Sequence, residues 1–178
     1  MSKTSDQWWG IINNKCLPIY TKKHEDYGSS WVILRLPSFT DQIFIKAKRI
    51  RTIQEVGNQK VIDGIEGEYL GIVNYCIMAL IRISHPDLAA DVDKATALEF
   101  YQKEIARVYS LLEAKNHDYG EAWRDMRQTS FVDLILQKLI RIKQIEANDG
   151  KTLVSEGVDA GYQDIINYSI FALILQSE

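Results

Sequence analysis

Lys138 and Arg141 are the residues of this chain whose types and spacing first suggest chemistry. They stand three positions apart in a segment whose apolar residues recur with the 3.6-residue period of a helix, and Lys138 falls in the middle of the apolar arc. An ammonium group left in a core without a partner is strongly destabilising, so carboxylates or a phosphate must lie opposite it. The pattern therefore predicts either an internal ion pair or a site for an anionic ligand.

Acidic residues that could face these cations follow in the next predicted helix, at residues 152–176. At about 100° per residue, Glu156, Asp159 and Asp164 share one arc of that helix. Asn167 lies on the same arc, which continues into apolar residues. Convergent carboxylates on an inward face suit Mg²⁺, which binds carboxylate and phosphate oxygens. Acids near a helix start can also merely complement the helix dipole, but Asp164 lies too far along the helix for this explanation.

The same chemical groups occur twice along the chain. Residues 23–53 match residues 115–145 without a gap at an offset of 92 positions (115 − 23), with 14 of 31 residues identical. Average composition predicts about two identities. Lys46 and Arg49 correspond to the basic pair described above, and the match continues at an offset of 93 positions after one inserted residue. The chain is therefore a tandem duplication of one helical unit.

Six helices are needed to position these groups. Each copy shows three helical segments and no alternation with the period of a strand, so the predicted fold class is all-α. We expect the whole chain to be a single domain, in which repeat 1 (1–83), a linker (84–93) and repeat 2 (94–178) form one pseudo-twofold helical bundle. The third helices are apolar nearly all round in their second halves, so they should contact each other at the centre. The middle helices should begin at Ser38 and Ser130, where Ser-Phe-x-Asp is a capping pattern.

Composition narrows the classes of function. Of the 178 residues, 46% are hydrophobic, which is enough for a sizeable core. A net charge of −3, with acids and bases interspersed, argues against binding of polymer DNA or RNA. Cys16 and Cys76 form no CxxC pair and are expected to be reduced thiols of a cytoplasmic protein. Neither a signal peptide nor a membrane span is predicted, and a homodimer is a candidate assembly.

Three motifs occur in order: Lys-x-x-Asp-Tyr-Gly-x-x-Trp, then Lys-x-x-Arg, then Glu-x-x-Asp-x-x-x-x-Asp-x-x-Asn-Tyr. This combination resembles the nucleotide modification associated domain 1 family, present twice, and more distantly the all-α MazG-type nucleoside triphosphate pyrophosphohydrolases. The resemblance implies a nucleotide or nucleoside phosphate as ligand. Repeat 2 matches the family motif at Lys115, Asp118, Lys138, Arg141, Glu156, Asp164 and Asn167.

Two hypotheses about function follow. In the first, Lys138 and Arg141 hold phosphate oxygens, and Glu156, Asp159 and Asp164 hold Mg²⁺ and carry catalysis. A metal-activated water would then attack phosphorus and release pyrophosphate, as in MazG-type enzymes. Further ligand contacts are expected from Lys115, Asp118, Asn167, Lys46 and Arg49. In the second hypothesis the protein is a non-catalytic binding or scaffold module, and the same charges form a buried network.

The two copies are expected to be unequal. Gly71 stands in repeat 1 where repeat 2 has Asp164, so the first acidic stripe has one carboxylate fewer. Fewer anionic ligands weaken Mg²⁺ binding. Metal or phosphate chemistry is therefore predicted mainly in repeat 2.

Overall fold

The described residues of the protein are mainly helical. The computed structural model describes residues 2–57, 62–153 and 156–178, without the side chains of Ile62, Asp63 and Tyr119. The helices are α1 (Lys3–Ile11), α2 (Leu17–Tyr27), α3 (Leu36–Val56), α4 (Ile62–Ser84), α5 (Lys94–Tyr119), α6 (Gln128–Ala147) and α7 (Val158–Gln176). A π-helical turn at Ile12–Cys16 joins α1 and α2 into one long helix, which leaves the predicted six principal helices. The described residues contain no strand, and the all-α prediction is confirmed.

Four of these helices form the centre of the bundle. Helix α4 packs against α7, α3 packs on α4, α6 packs on α7, and α3 also contacts α6. The long helix α1–α2 and helix α5 lie against this group. A single core cluster contains buried side chains of both repeats. The predicted central contact between the third helices of the two repeats, α4 and α7, is confirmed.

Two ion pairs between α3 and α6 show the pseudo-twofold relation. Asp41 Oδ1 lies 3.5 Å from Lys143 Nζ, and Asp133 Oδ1 lies 3.6 Å from Arg51 Nη1. At the offset of 92 positions, Asp41 corresponds to Asp133 and Arg51 to Lys143. Each pair is therefore the symmetry counterpart of the other, and each joins one repeat to the other repeat.

The predicted starts of the middle helices are wrong by two residues. Helices α3 and α6 begin at Leu36 and Gln128, and neither has a side-chain hydrogen bond at its N-cap. Ser38 and Ser130 lie within the first turn, where their backbone N–H groups donate to the carbonyls of the N-cap arginines. The aspartates of the capping pattern pair across the repeat interface instead.

The third helix of repeat 2 begins later than expected. Its N-cap is Gly157, with extended backbone, and α7 starts at Val158 rather than at residue 152. Glu156 therefore precedes the helix and does not share its arc. Helix α5 ends at Tyr119, and its C-cap Gly120 takes a φ of 66°, a backbone conformation that favours glycine.

Helix α4 contains the segment Gly64–Ser84, which by length and composition alone could cross a membrane. In this bundle 61% of that segment's apolar window is buried among the other helices. A central core helix has the same composition, because it is covered by neighbours on several sides.

Candidate ligand-binding site

In repeat 2, Asp164 joins two lysines from different helices. Its Oδ2 lies 2.8 Å from Lys138 Nζ of α6, and its Oδ1 lies 3.2 Å from Lys115 Nζ of α5. The hydrogen bond to Asp164 raises the pKa of Lys138, against the opposing effect of burial. The predicted approach of Lys138 to the acids of the third helix is therefore confirmed, within the same repeat.

Most of the other predicted residues of repeat 2 surround this ion pair. Lys138, Arg141, Glu156 and Asp164 line a cavity of about 160 Å³. Lys115, Glu156 and Asp159 line an adjacent, more open depression of about 420 Å³. Glu156 belongs to both because it lies in the segment that leads into α7.

Two predicted contact residues of repeat 2 lie elsewhere. The Asp118 side chain is 71% exposed and stands 3.3 Å from the ring nitrogen Nδ1 of His117. Asn167 is buried, and its Oδ1 accepts a hydrogen bond of 3.2 Å from Trp8 Nε1. Neither residue lines the two cavities described above.

The three predicted Mg²⁺ ligands do not form a cluster. Among the described residues, no three Asp, Glu, His or Cys side chains lie close enough to hold a metal ion together. Glu156 precedes the helix, Asp159 faces the open depression, and both oxygens of Asp164 already face lysines. This arrangement does not fit a three-carboxylate Mg²⁺ site, and Mg²⁺ binding stays a prediction.

Repeat 1 pairs its cations with a different carboxylate. Lys46 Nζ lies 3.5 Å from Glu68 Oε2, and Arg49 Nη1 lies 2.8 Å from Glu68 Oε1. At the offset of 93 positions, Glu68 corresponds to Gly161 and Gly71 corresponds to Asp164. The two repeats have thus exchanged carboxylate and glycine across one turn of the third helix. The lysine keeps a partner in both repeats, although repeat 1 lacks the acid that the family motif expects.

Repeat 1 has a cavity of about 450 Å³ between α2, the turn that follows it, and α4. Its walls are mainly aromatic and aliphatic, and include Tyr20, Tyr27, Trp31, Leu34, Tyr75 and Met78. Its polar lining includes Lys23, His24 and Asn74. The Nδ1 atom of His24 is buried and finds no hydrogen-bond partner among the described residues.

Two residue differences explain why the space is open in repeat 1. Gly71 contributes no side chain to the cavity wall, whereas repeat 2 has Asp164 at this position. Met78 replaces Phe171, whose ring stacks on Trp123 at a centroid distance of 4.2 Å and an interplanar angle of 5°. The corresponding part of repeat 2 is therefore filled by a ring and a carboxylate.

Lys46 reaches the edge of this cavity. A Cβ atom at Gly71 would lie 3.0 Å from Lys46 Cε and 3.2 Å from Lys46 Nζ. The Lys46 ammonium also stands 5.9 Å from the centroid of the Tyr75 ring. Because Gly71 and Tyr75 both line the cavity, Lys46 is placed where a bound anion could meet it.

The sequence interpretation missed this cavity, although a signal was present. Lys23, Trp31, Asn74 and Tyr75 all have identical counterparts in repeat 2, so their types were kept in both copies. The informative positions are those where the copies differ in size, namely Gly71 and Met78. Smaller residues in one copy, at positions that face conserved aromatic residues, indicate an opening.

Comparison with known proteins gives one finding. The family model described as nucleotide modification associated domain 1 matches residues 23–83 and again residues 115–175. Together the two matches cover more than half of the chain, and they contain most of the residues that line the cavity of repeat 1 and the Asp164 ion pairs of repeat 2. No curated protein and no solved structure matches the chain.

Proposed function

Because the chain belongs to the nucleotide modification associated domain 1 family, we propose that it binds a nucleotide or nucleoside phosphate, with the base in the cavity of repeat 1. The observation that carries this proposal is the cavity of about 450 Å³, whose walls are mainly aromatic and aliphatic; Lys23 lines it, and Lys46 stands next to Tyr75 of its lining. The volume lies within the range of about 300–1,000 Å³ that is typical of small-molecule sites.

The aromatic walls suit a nucleobase. Trp31 and Tyr75 line the cavity from two different elements. Stacking of a base on an aromatic side chain contributes about 1–3 kcal/mol, and it does so for every base because each has a π-face. Such walls support binding of a planar heterocycle without selecting which one.

The cations at the edge suit a phosphate. Lys23 lines the cavity, and Lys46 approaches it from α3 beside Arg49. Lys46 Nζ makes a long contact of 3.5 Å with Glu68, whereas Arg49 Nη1 makes a shorter contact of 2.8 Å with the same carboxylate. A phosphate could therefore take Lys46 as a charge-assisted donor while Glu68 keeps Arg49 as its partner.

The ion pairs of repeat 2 favour the non-catalytic alternative for that half of the protein. Both oxygens of Asp164 are paired with lysines of the same repeat, as the scaffold hypothesis expects, although the lysines keep solvent access and the network is not buried. Mg²⁺-dependent pyrophosphohydrolysis at Glu156, Asp159 and Asp164 would require Asp164 to exchange these partners. This activity would need a substrate bound in repeat 2, so it is a separate proposal from binding in the cavity of repeat 1, and measurement of product release tests it separately.

The test is a thermal-shift and calorimetric screen of nucleosides and of nucleoside mono-, di- and triphosphates, with and without Mg²⁺. A ligand at about 100 times its Kd should add about 2.7 kcal/mol to the free energy of unfolding. Met78→Phe should abolish binding without unfolding the protein, because it introduces the ring that fills the same space in repeat 2. Release of phosphate or pyrophosphate, measured in the same samples, tests hydrolysis.

Matched variants of the equivalent lysines identify the repeat that binds. Lys46→Gln should weaken binding at least about tenfold, since it removes a charge-assisted contact to phosphate. Lys138→Gln should leave the affinity unchanged. If no nucleotide shifts the melting temperature, the proposal is refuted; if Lys138→Gln is the more damaging to binding, the site lies in repeat 2, as the sequence alone predicted.

A further inference from the structure

Asn74 is a buried polar residue inside the aromatic cavity of repeat 1. It lies on α4, is 6% exposed and belongs to the cavity lining. Its Nδ2 donates a hydrogen bond of 3.0 Å to the backbone carbonyl of Cys16, and its Oδ1 accepts one of 2.8 Å from the hydroxyl of Tyr101. Asn74 is therefore held from two other helices at once.

The two hydrogen bonds determine which way the amide points. The Cys16 carbonyl can only accept, so the NH₂ group must face it. A flip of the amide would bring Oδ1 against this carbonyl and leave the buried NH₂ group beside the Tyr101 hydroxyl. Cys16 is the last residue of the π-helical turn between α1 and α2, a local irregularity that often accompanies functional sites.

This arrangement leaves part of the amide unused. A side-chain amide offers two N–H donors and two acceptor lone pairs, and Asn74 uses one of each with the described residues. A donor and an acceptor therefore remain on a side chain that lines an otherwise mostly apolar space. Apolar pockets with a few well-placed polar groups obtain their specificity from those groups.

On the basis of the proposed function, we infer that Asn74 is the specificity-determining residue of the cavity and bonds the donor–acceptor edge of the base that stacks between Trp31 and Tyr75. Asparagine can form two hydrogen bonds with such an edge, as it does with adenine in nucleic-acid recognition. Tyr101 and Cys16 are positioning residues that present the amide in one orientation. In repeat 2 the corresponding Asn167 bonds Trp8, and Phe171 occupies the neighbouring space against Trp123.

The experiment measures the Kd values of the intact protein for adenosine, guanosine, cytidine and uridine monophosphates and for ribose 5-phosphate, by titration calorimetry. The wild-type protein should prefer one nucleotide over the weakest by at least about tenfold and should bind ribose 5-phosphate least. Asn74→Ala should reduce the affinity for the preferred nucleotide by about tenfold to a hundredfold, and should leave ribose 5-phosphate unaffected. The preference among bases should disappear.

Tyr101→Phe keeps Asn74 and removes only the hydroxyl that orients it. It should flatten the base preference while ribose 5-phosphate binding stays constant, which a merely structural role would not produce. Tyr162→Phe, a matched loss of a buried tyrosine hydroxyl in repeat 2, should leave the preference intact. Should the nucleotides bind while both Asn74→Ala and Tyr101→Phe retain the wild-type ranking, this inference is overturned and the proposed function stands. No binding of any nucleotide to the wild-type protein overturns both.

Discussion

The substitution Val132→Thr should stabilise the protein, because it gives a buried hydroxyl its missing partner. Where α3 meets α7, Thr40 Oγ1 lies 2.7 Å from the Tyr162 hydroxyl and donates a hydrogen bond of 2.6 Å to Glu146 Oε1. The pseudo-twofold counterpart of Tyr162 is Tyr69, whose fully buried hydroxyl has no hydrogen-bond partner among the described residues. The counterpart of Thr40 is Val132.

The expected stabilisation is the difference between the free energy recovered by pairing the Tyr69 hydroxyl and the cost of desolvating the new threonine hydroxyl. An unpaired buried hydroxyl costs about 1–3 kcal/mol, which the new partner would recover at Tyr69. The introduced hydroxyl must itself be desolvated, but it can also donate to the carbonyl four residues earlier, which lies within reach as the Leu36 carbonyl does for Thr40, at 3.3 Å. We therefore expect a net stabilisation of about 1 kcal/mol, or a rise in Tm of about 2–4 °C for a chain of this length.

The assay is a double-mutant cycle with Tyr69→Phe, followed by denaturant unfolding. In the Tyr69→Phe background the same valine substitution buries a hydroxyl without the tyrosine as partner, and it should destabilise by about 1 kcal/mol. The coupling energy between the two positions should then be about 2 kcal/mol. Equal effects of Val132→Thr in both backgrounds would show that the two side chains do not meet and that the pseudo-twofold does not extend to them.

Three further predictions follow from single contacts. Gly161→Ala should destabilise the protein by about 1–3 kcal/mol, because its Cβ would lie 2.8 Å from Cγ1 of Ile142. The control Gly67→Ala, whose Cβ would have no atom within 4 Å, should be neutral or stabilising. Denaturant unfolding curves of the two variants test this. Burial raises the pKa of Glu146, with the hydrogen bond from Thr40 opposing, so stability falls as pH rises through that pKa. Glu146→Gln should therefore exceed wild type in Tm at pH 7, and the difference should shrink towards about pH 4; a difference that grows on acidification contradicts the reasoning. Asp164→Asn should destabilise the protein by about 1–2 kcal/mol, a modest value because both lysines retain solvent access. A Mg²⁺-dependent rise in Tm of the wild-type protein that is lost in this variant would support the prediction of a metal site.

The sequence predicted those features that depend on periodicity and on the cost of burying charge. Helical period and the absence of strand alternation indicated an all-α bundle. The position of Lys138 on the apolar arc of its helix predicted an anion opposite it, and Asp164 supplies one at 2.8 Å. The duplication was visible because the same residue types recur at a constant offset. Each of these inferences needs only one element, or a comparison of two copies of it.

Features that depend on a break in a helix or on packing between elements were not predictable in the same way. The arc that joined Glu156 to Asp164 assumed a continuous helix, but Gly157 takes extended backbone and α7 begins after it. The acids of the third helix were expected to pair with Lys46, but the choice of Glu68 among them required the register between α3 and α4, which the sequence does not contain. The cavity lies where Gly71 and Met78 are smaller than their counterparts in repeat 2 and stand opposite aromatic rings of another element.

The cross-repeat ion pairs of Asp41 with Lys143 and of Asp133 with Arg51 bear on the ancestry of the chain. Each pair joins a residue of one repeat to a residue of the other, so one unit alone supplies only one partner of each pair. An ancestral chain with one unit could make these contacts only by pairing with a second copy of itself, and the two sites of such a dimer would be identical by symmetry. Fusion of the two genes removed that constraint, since a mutation could then change one site and spare the other. The exchange of glycine and carboxylate between the repeats is a change of this kind, which no symmetric dimer of one gene product could carry.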